Sequence, residues 1–158
     1  MANTQAMTTS FMGELMTATH NFGTAPVRAS GATDSFKGAL YLASATYNAS
    51  TTAYSATGEV TGTNYTAGGV AVTFGTPPTA TNSSTTAGVA FVTPSASITY
   101  TNVTLTTAFD AVLIYNSTQS NKAVSVHTFG SQTVTAGTFT LTMPSNTTST
   151  ALLRLATT

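Results

Sequence analysis

The chain of 158 residues contains no cysteine and no tryptophan, and its charged side chains amount to four Lys/Arg and four Asp/Glu. Without cysteine there are no disulfides, no thiolate metal sites and no cysteine nucleophile. Charged residues make up 5% of the chain, against ~25% in an average soluble domain. Charge this sparse argues against binding nucleic acid through its phosphates, which takes clustered Lys and Arg. It argues equally against holding a membrane through a basic patch. No run approaches the ~20 apolar residues that span a bilayer. Residues 1–20 have no Lys or Arg and no continuous apolar stretch. No secretory leader is therefore expected, and the chain is expected to be made and assembled in a cytoplasm.

What fills the chain is 38 Thr, 16 Ser and 24 Ala, about half of all residues. Threonine is β-branched and favours a pleated, half-buried surface. Leu, Ile, Val and Phe together reach only about 19%, a level close to that of disordered chains. Disorder also takes high net charge, and the net charge here is zero. The apolar residues fall in alternating runs, which speaks for order. A surface of Thr, Ser, Asn and Ala gives little repulsion between copies and suits a subunit of a larger assembly, although secreted β-proteins share such a surface.

A helix is expected over residues 4–22, where Met7, Phe11, Leu15, Ala18 and Phe22 recur at steps of three or four, with Met12 and Met16 beside them. Asn3 is placed to cap its start and Gly23 to end it, with Gly13 a weak point of ~1 kcal/mol relative to Ala. The stripe either packs on the domain's own sheet or docks on a partner; its methionines suit an adaptable surface. A turn-rich loop over 23–35 carries Arg28 and Asp34. Alternation predicts strands at 36–43, 70–74, 89–93, 98–100, 103–105, 109–115, 123–129, 138–143 and 151–156, with 116–122 a turn. Residues 44–69 form a long polar segment that Tyr47, Tyr54 and Tyr65 are expected to pin to the body. Residues 75–88 make a second loop, free of charge, with Pro77 and Pro78. No helices lie between the strands, so a parallel α/β sheet is excluded. The expected fold is mainly β: an antiparallel β-sandwich of about eight strands, jelly-roll-like or Ig-like, preceded by one N-terminal amphipathic helix. Residues 1–22 would be an arm and helix, and 23–158 a single sandwich domain.

The acid–base inventory is Glu14, Asp34, Glu59, Asp110, His20 and His127. No two stand at i,i+4 on one helix and no His-x-His occurs on a strand, so no metal site is expected. Ser125 and His127 share a strand face at period two, with Asp110 on a neighbouring strand, but no nucleophile elbow or oxyanion signature accompanies them. Acids on distant segments give no glycosidase pair. Gly68-Gly69 precedes a strand rather than the helix that a phosphate cradle takes. Lys37, Lys122 and Arg154 look isolated, and Asp110 looks like a strand-edge or turn acceptor, or a partner contact. The expectation is a chain that is not an enzyme and takes no cofactor.

Three stretches carry a resemblance. The first is MANTQAMTTSF with His20-Asn21-Phe22. The second is FKGALYLASATYNASTTAYSATGEVTGTNYTAGGVAVT at 36–73. The third is AVLIYNSTQSNKAV at 111–124, followed by His127-Thr128-Phe129-Gly130. In this order they resemble a broad group of small tailed-bacteriophage proteins from virion structural modules. Residues 55–60 and 65–69 are the most specific part, and Lys37 stands where the group has a lysine; the loop 23–35 is longer than in that group. The resemblance implies a virion component without catalytic residues. Within the virion the expected role is a capsid decoration, or cement, protein. Its partners would be the major capsid protein and other copies of itself, as a homo-oligomer, dimer or trimer, through contacts burying over ~1,000 Å². Nucleic acid and membrane are not expected as partners. Candidate contact residues are Met7, Phe11, Met12, Leu15 and Met16 on the arm, with Tyr54, Tyr65, Pro77 and Pro78 on the loops. One alternative is a tail, neck or fibre-associated protein. Another, of a different class, is a host-surface carbohydrate-binding module using Tyr41, Tyr47, Tyr54, Tyr65, Tyr100 and Tyr115 as stacking surfaces.

Overall fold

The computed structural model describes residues 2–16, 19–22, 33–81 and 88–156. Among them the chain is mainly β. In order the elements are β1 (Ala6–Met7), α1 (Thr9–Met16), β2 (Phe36–Leu42), β3 (Val70–Val72), β4 (Thr79–Ala80), β5 (Val89–Val92), β6 (Ile98–Asn116), β7 (Lys122–Leu141) and β8 (Leu153–Ala156). Every pairing is antiparallel. Five strands form one sheet in the order β1-β7-β6-β2-β3, and three form a smaller sheet in the order β4-β5-β8. No helix among the described residues is long and apolar enough to cross a membrane.

The larger sheet is covered on both faces. Leu40 pairs with Val112, and Ala39 with Leu113, which pairs in turn with Val126. Period two therefore sends Leu40, Val112 and Ile114 to one face and Ala39, Tyr41, Leu113 and Tyr115 to the other. The first face shares a core with Phe11 and Phe22 of the arm and with Val92 and Leu153 of the smaller sheet. The second face packs under Tyr47 and Tyr54 of the segment 44–69. Burial on both sides explains why 111–115 is a continuous apolar run rather than an alternating one. Each fully buried Leu or Ile here contributes about 1.5–3 kcal/mol.

Three separately expected strands, at 98–100, 103–105 and 109–115, are one 19-residue strand, β6. Two more, at 123–129 and 138–143, belong to the 20-residue β7. The polar breaks between them are bulges rather than turns: the register shifts at Val103, Leu105 and Phe109. Asn102 (φ 53), Gly130 (φ 75) and Ala136 (φ 45) take left-handed backbone there. Two short strands, β1 and β4, had no alternation long enough to announce them.

The N-terminal helix is shorter than expected, eight residues rather than the span 4–22. Residues 3–9 are drawn into bonds across the fold instead. Thr4 N donates to Tyr47 O, Thr8 N to Val124 O and Thr9 N to Ala49 O, while Ala6 and Met7 pair with Val126 and Ser125. An isolated short helix is marginal, so these sheet-edge bonds win. Asn3 is not a helix cap. Its Nδ2 donates to Leu42 O (3.1 Å) and Asp110 Oδ1 (2.6 Å), and its Oδ1 accepts Tyr47 N (2.8 Å). Gly23, Ala18 and Arg28 lie outside the described residues.

Candidate functional site

The arm and the smaller sheet enclose an apolar cleft. Phe11 and Leu15 stand four apart on α1, hence on one helix face, and with Met7 they line a cavity of about 70 Å³. Pro78, Phe91, Leu153 and Leu155 close it from the other side. Small-molecule pockets usually measure ~300–1,000 Å³, so this volume fits side-chain docking better than a ligand. Met12, on α1, is 46% exposed and Leu155, on β8, is 39% exposed; these are the exposed large hydrophobics of the described chain.

Four of the sequence-nominated contact residues, Met7, Phe11, Leu15 and Pro78, thus meet at one place. Phe11 is only 2% exposed and serves the chain's own core rather than a surface. Met12 points outward, and Pro77 is half-buried outside the cleft lining. The Met16 side chain lies outside the described residues.

Tyr54 and Tyr65 converge elsewhere, on Glu59. The buried Glu59 carboxylate accepts Tyr54 Oη at 2.6 Å, Tyr65 Oη at 2.8 Å and Gly68 N at 2.7 Å. Burial and the neighbouring carboxylate push both phenols well above their usual range, so they remain donors. Tyr41 and Tyr47 donate to Ser55 O, Tyr100 to Gly38 O and Tyr115 to Gly68 O. All six tyrosines are buried or half-buried with their hydroxyls bound inside the chain, as anchors of the segment 44–69 and its neighbours. The segment's dependence on one acid was not foreseeable from spacing, although the crowding of tyrosines around Glu59 in sequence was the available signal.

A second polar cluster lies beside the β6–β7 turn. Asn116 is fully buried. Its Oδ1 accepts Thr118 N and Gln119 N, both at 3.1 Å. Because those backbone groups can only donate, the amide nitrogen faces the other way. It donates to His20 Nδ1 (3.0 Å) and Asp34 Oδ2 (2.8 Å). His20 Nδ1 is then an acceptor, and Nε2–H donates to Glu14 Oε2 at 2.7 Å. Burial pushes His20 below its ordinary value despite the pull of Glu14. Lys122, expected to be isolated, pairs with Glu14. Burial would raise Glu14, but its bonds from Lys122 and His20 outweigh that and hold it low.

Ser125 Oγ and His127 Nε2 lie 2.9 Å apart, while Asp110 is engaged by Asn3. Ser125 is 1% exposed, out of reach of a substrate. His127 brings the one titratable side chain to a cleft of about 260 Å³ lined also by Phe129, Leu141 and Met143. Among the described residues no three His, Asp or Glu gather as metal ligands.

No protein-family model, curated protein or solved structure matches this chain.

Proposed function

We propose that this chain is a structural protein of a tailed-bacteriophage virion, without enzymatic activity, and that within the virion it decorates the capsid by binding the major capsid protein. One observation carries the proposal: the apolar cleft between α1 and the smaller sheet, whose lining includes the exposed Leu155, with Met12 of α1, outside that lining, the other exposed large hydrophobic of the described chain. Apolar residues in a weakly charged surroundings are what a permanent contact buries. The resemblance of residues 1–22, 36–73 and 111–130 to virion structural-module proteins supplies the partner class. In this proposal the two sheets are the layers of a sandwich, supported by the core that Val92 and Leu153 share with Leu40 and Val112. The five-plus-three strand distribution differs from that of an Ig domain, so the likeness stops at the sandwich. A carbohydrate-binding role draws less support, because every tyrosine that would stack on sugar is bound internally.

The test is quantitative mass spectrometry of purified particles with heads and tails separated. Hundreds of copies per head are expected. A handful of copies confined to the tail fraction would replace the proposal with a tail, neck or fibre role.

A further inference from the structure

We propose that two copies of this chain associate through the outer edge of β7 from Ser131 to Leu141, each β7 pairing antiparallel with the other about a two-fold axis. The inner edge of β7 pairs with β6 as far as Leu141. Its outer edge pairs with β1 only at Ser125 and Val126, and Thr8 N adds one bond to Val124 O. From Ser131 to Leu141 no described backbone segment bonds to that edge. A row of unpaired N–H and C=O groups is a template for another strand.

Sheets ordinarily blunt an edge with brevity, charge or proline. Among the other edges β3 has three residues, β4 has two, and β8 has four including Arg154, while the outer edge of β6 before Phe109 is partly covered: Thr104 bridges to Thr63, Asn102 O accepts Asn64 Nδ2 and Ala108 O accepts Ala43 N. β7 has 20 residues, and Ser131–Leu141 holds no charge and no proline. The bulges at Gly130 and Ala136 leave 131–135 and 137–141 as extended runs. Thr133, Thr135, Thr138 and Thr140 are exposed along them.

The occupant is a second copy. A strand pairing antiparallel with itself closes after two chains. In the register that sets Thr133 against Thr138 of the other copy, threonine faces threonine on either side of the axis, a favourable cross-strand pair. The pairing brings no like charges together, because no charged residue lies between Lys122 and Arg154, and the net charge of zero leaves little repulsion between copies. This deepens the self-association within the proposed function and rests on it. Capsid binding is read separately, from the head fraction, so either can fail alone.

Sedimentation equilibrium of the full chain should give twice its 16.0 kDa mass. The double variant Thr133→Lys/Thr138→Lys should associate at least ~10-fold more weakly, through like charges opposed across the pair, with an unchanged circular dichroism spectrum. The absence of cysteine allows a second readout that leaves the charge alone. With Thr133 opposite Thr138 of the other copy, the double substitution Thr133→Cys/Thr138→Cys should cross-link copies well above a Thr61→Cys control, whereas either single substitution, about five strand positions (~17 Å) from its mate, should not. A monomeric or trimeric wild type, a lysine variant that associates like wild type, or cross-linking no better than the control would overturn the proposal.

Discussion

The Glu59 carboxylate takes the Tyr65 hydroxyl at 2.8 Å, and the same hydroxyl takes the Leu40 amide at 3.0 Å. One acid is thereby joined to a central strand of the larger sheet through a single phenol. Replacing Glu59 by Gln keeps the shape but removes the charge that receives three donors. The expected loss is about 2–4 kcal/mol, since hydrogen bonds to a buried charged group are the costly ones to break. Urea denaturation would show it, and a change below ~1 kcal/mol would mean that the segment 44–69 is held by packing alone.

Acid should destabilise the fold through three groups shifted in the same direction. Burial pushes His127 down to about 4 and His20 below its ordinary value, and Glu14 is held low by Lys122 and His20 against the effect of burial. A histidine whose folded pKa lies below the unfolded ~6.5 binds fewer protons folded than unfolded. Its contribution is complete above ~6.5 and is lost as pH falls toward the folded value, on the order of 3 kcal/mol for His127. The Glu14 contribution follows at lower pH, as its carboxylate protonates. Melting midpoints between neutral pH and pH ~4 should fall steeply for wild type and less for His127→Gln. Equal falls would assign the acid sensitivity to other groups.

Gly69 should tolerate no side chain. Its φ is +73° and a Cβ there would sit 1.7 Å from Gly38 O. Alanine would clash with backbone and force a left-handed conformation at once, so β2 and β3 must separate. A loss above ~3 kcal/mol, or failure to fold, is expected for Gly69→Ala. Near-wild-type stability would show that the Gly38–Gly69 approach is not kept in solution.

Met12→Glu and Leu155→Glu test the contact surface. Met12 is exposed and outside the cleft lining, so Met12→Glu should change stability by no more than ~0.5 kcal/mol, whereas Leu155 also lines the cleft and its replacement should cost ~1 kcal/mol or more. Incorporation into heads should drop sharply for the doubly substituted chain. Retained incorporation would move the capsid contact away from α1 and β8.

The strands of the sheet core were legible because alternation and the apolar run 109–115 leave a β period little competition. Their joining was not: Asn102 and Gly130 are turn-type residues and Ala136 stands beside Gly137, and only the partner strand decides that these positions are bulges. The helix was over-read for a related reason. Met7 fits the 3.6-residue period, yet its backbone is claimed by Ser125 of β7. Phe11 and Leu15, which line the cleft, showed in the apolar stripe, and the stripe's use in the structure is in the chain's own core. The Glu14–Lys122 pair joins residues 108 positions apart, a distance at which single residues leave no local pattern.

The β6–β7 hairpin also sets an order of assembly. Its halves are joined by a short turn, so the loop that must close before they meet is small, whereas Phe36 must find Asn116 and Ala6 must find Val126. Closure entropy grows with the length of chain enclosed, so the hairpin is expected to form first, β2 to condense on it, and the arm to arrive last on a surface already built. Pulsed hydrogen exchange during refolding would show amide protection in β6 and β7 ahead of Ala6 and Met7, and the reverse sequence would refute this order. The segment that carries the proposed capsid contact is then also the last to join its own fold and the first to leave it.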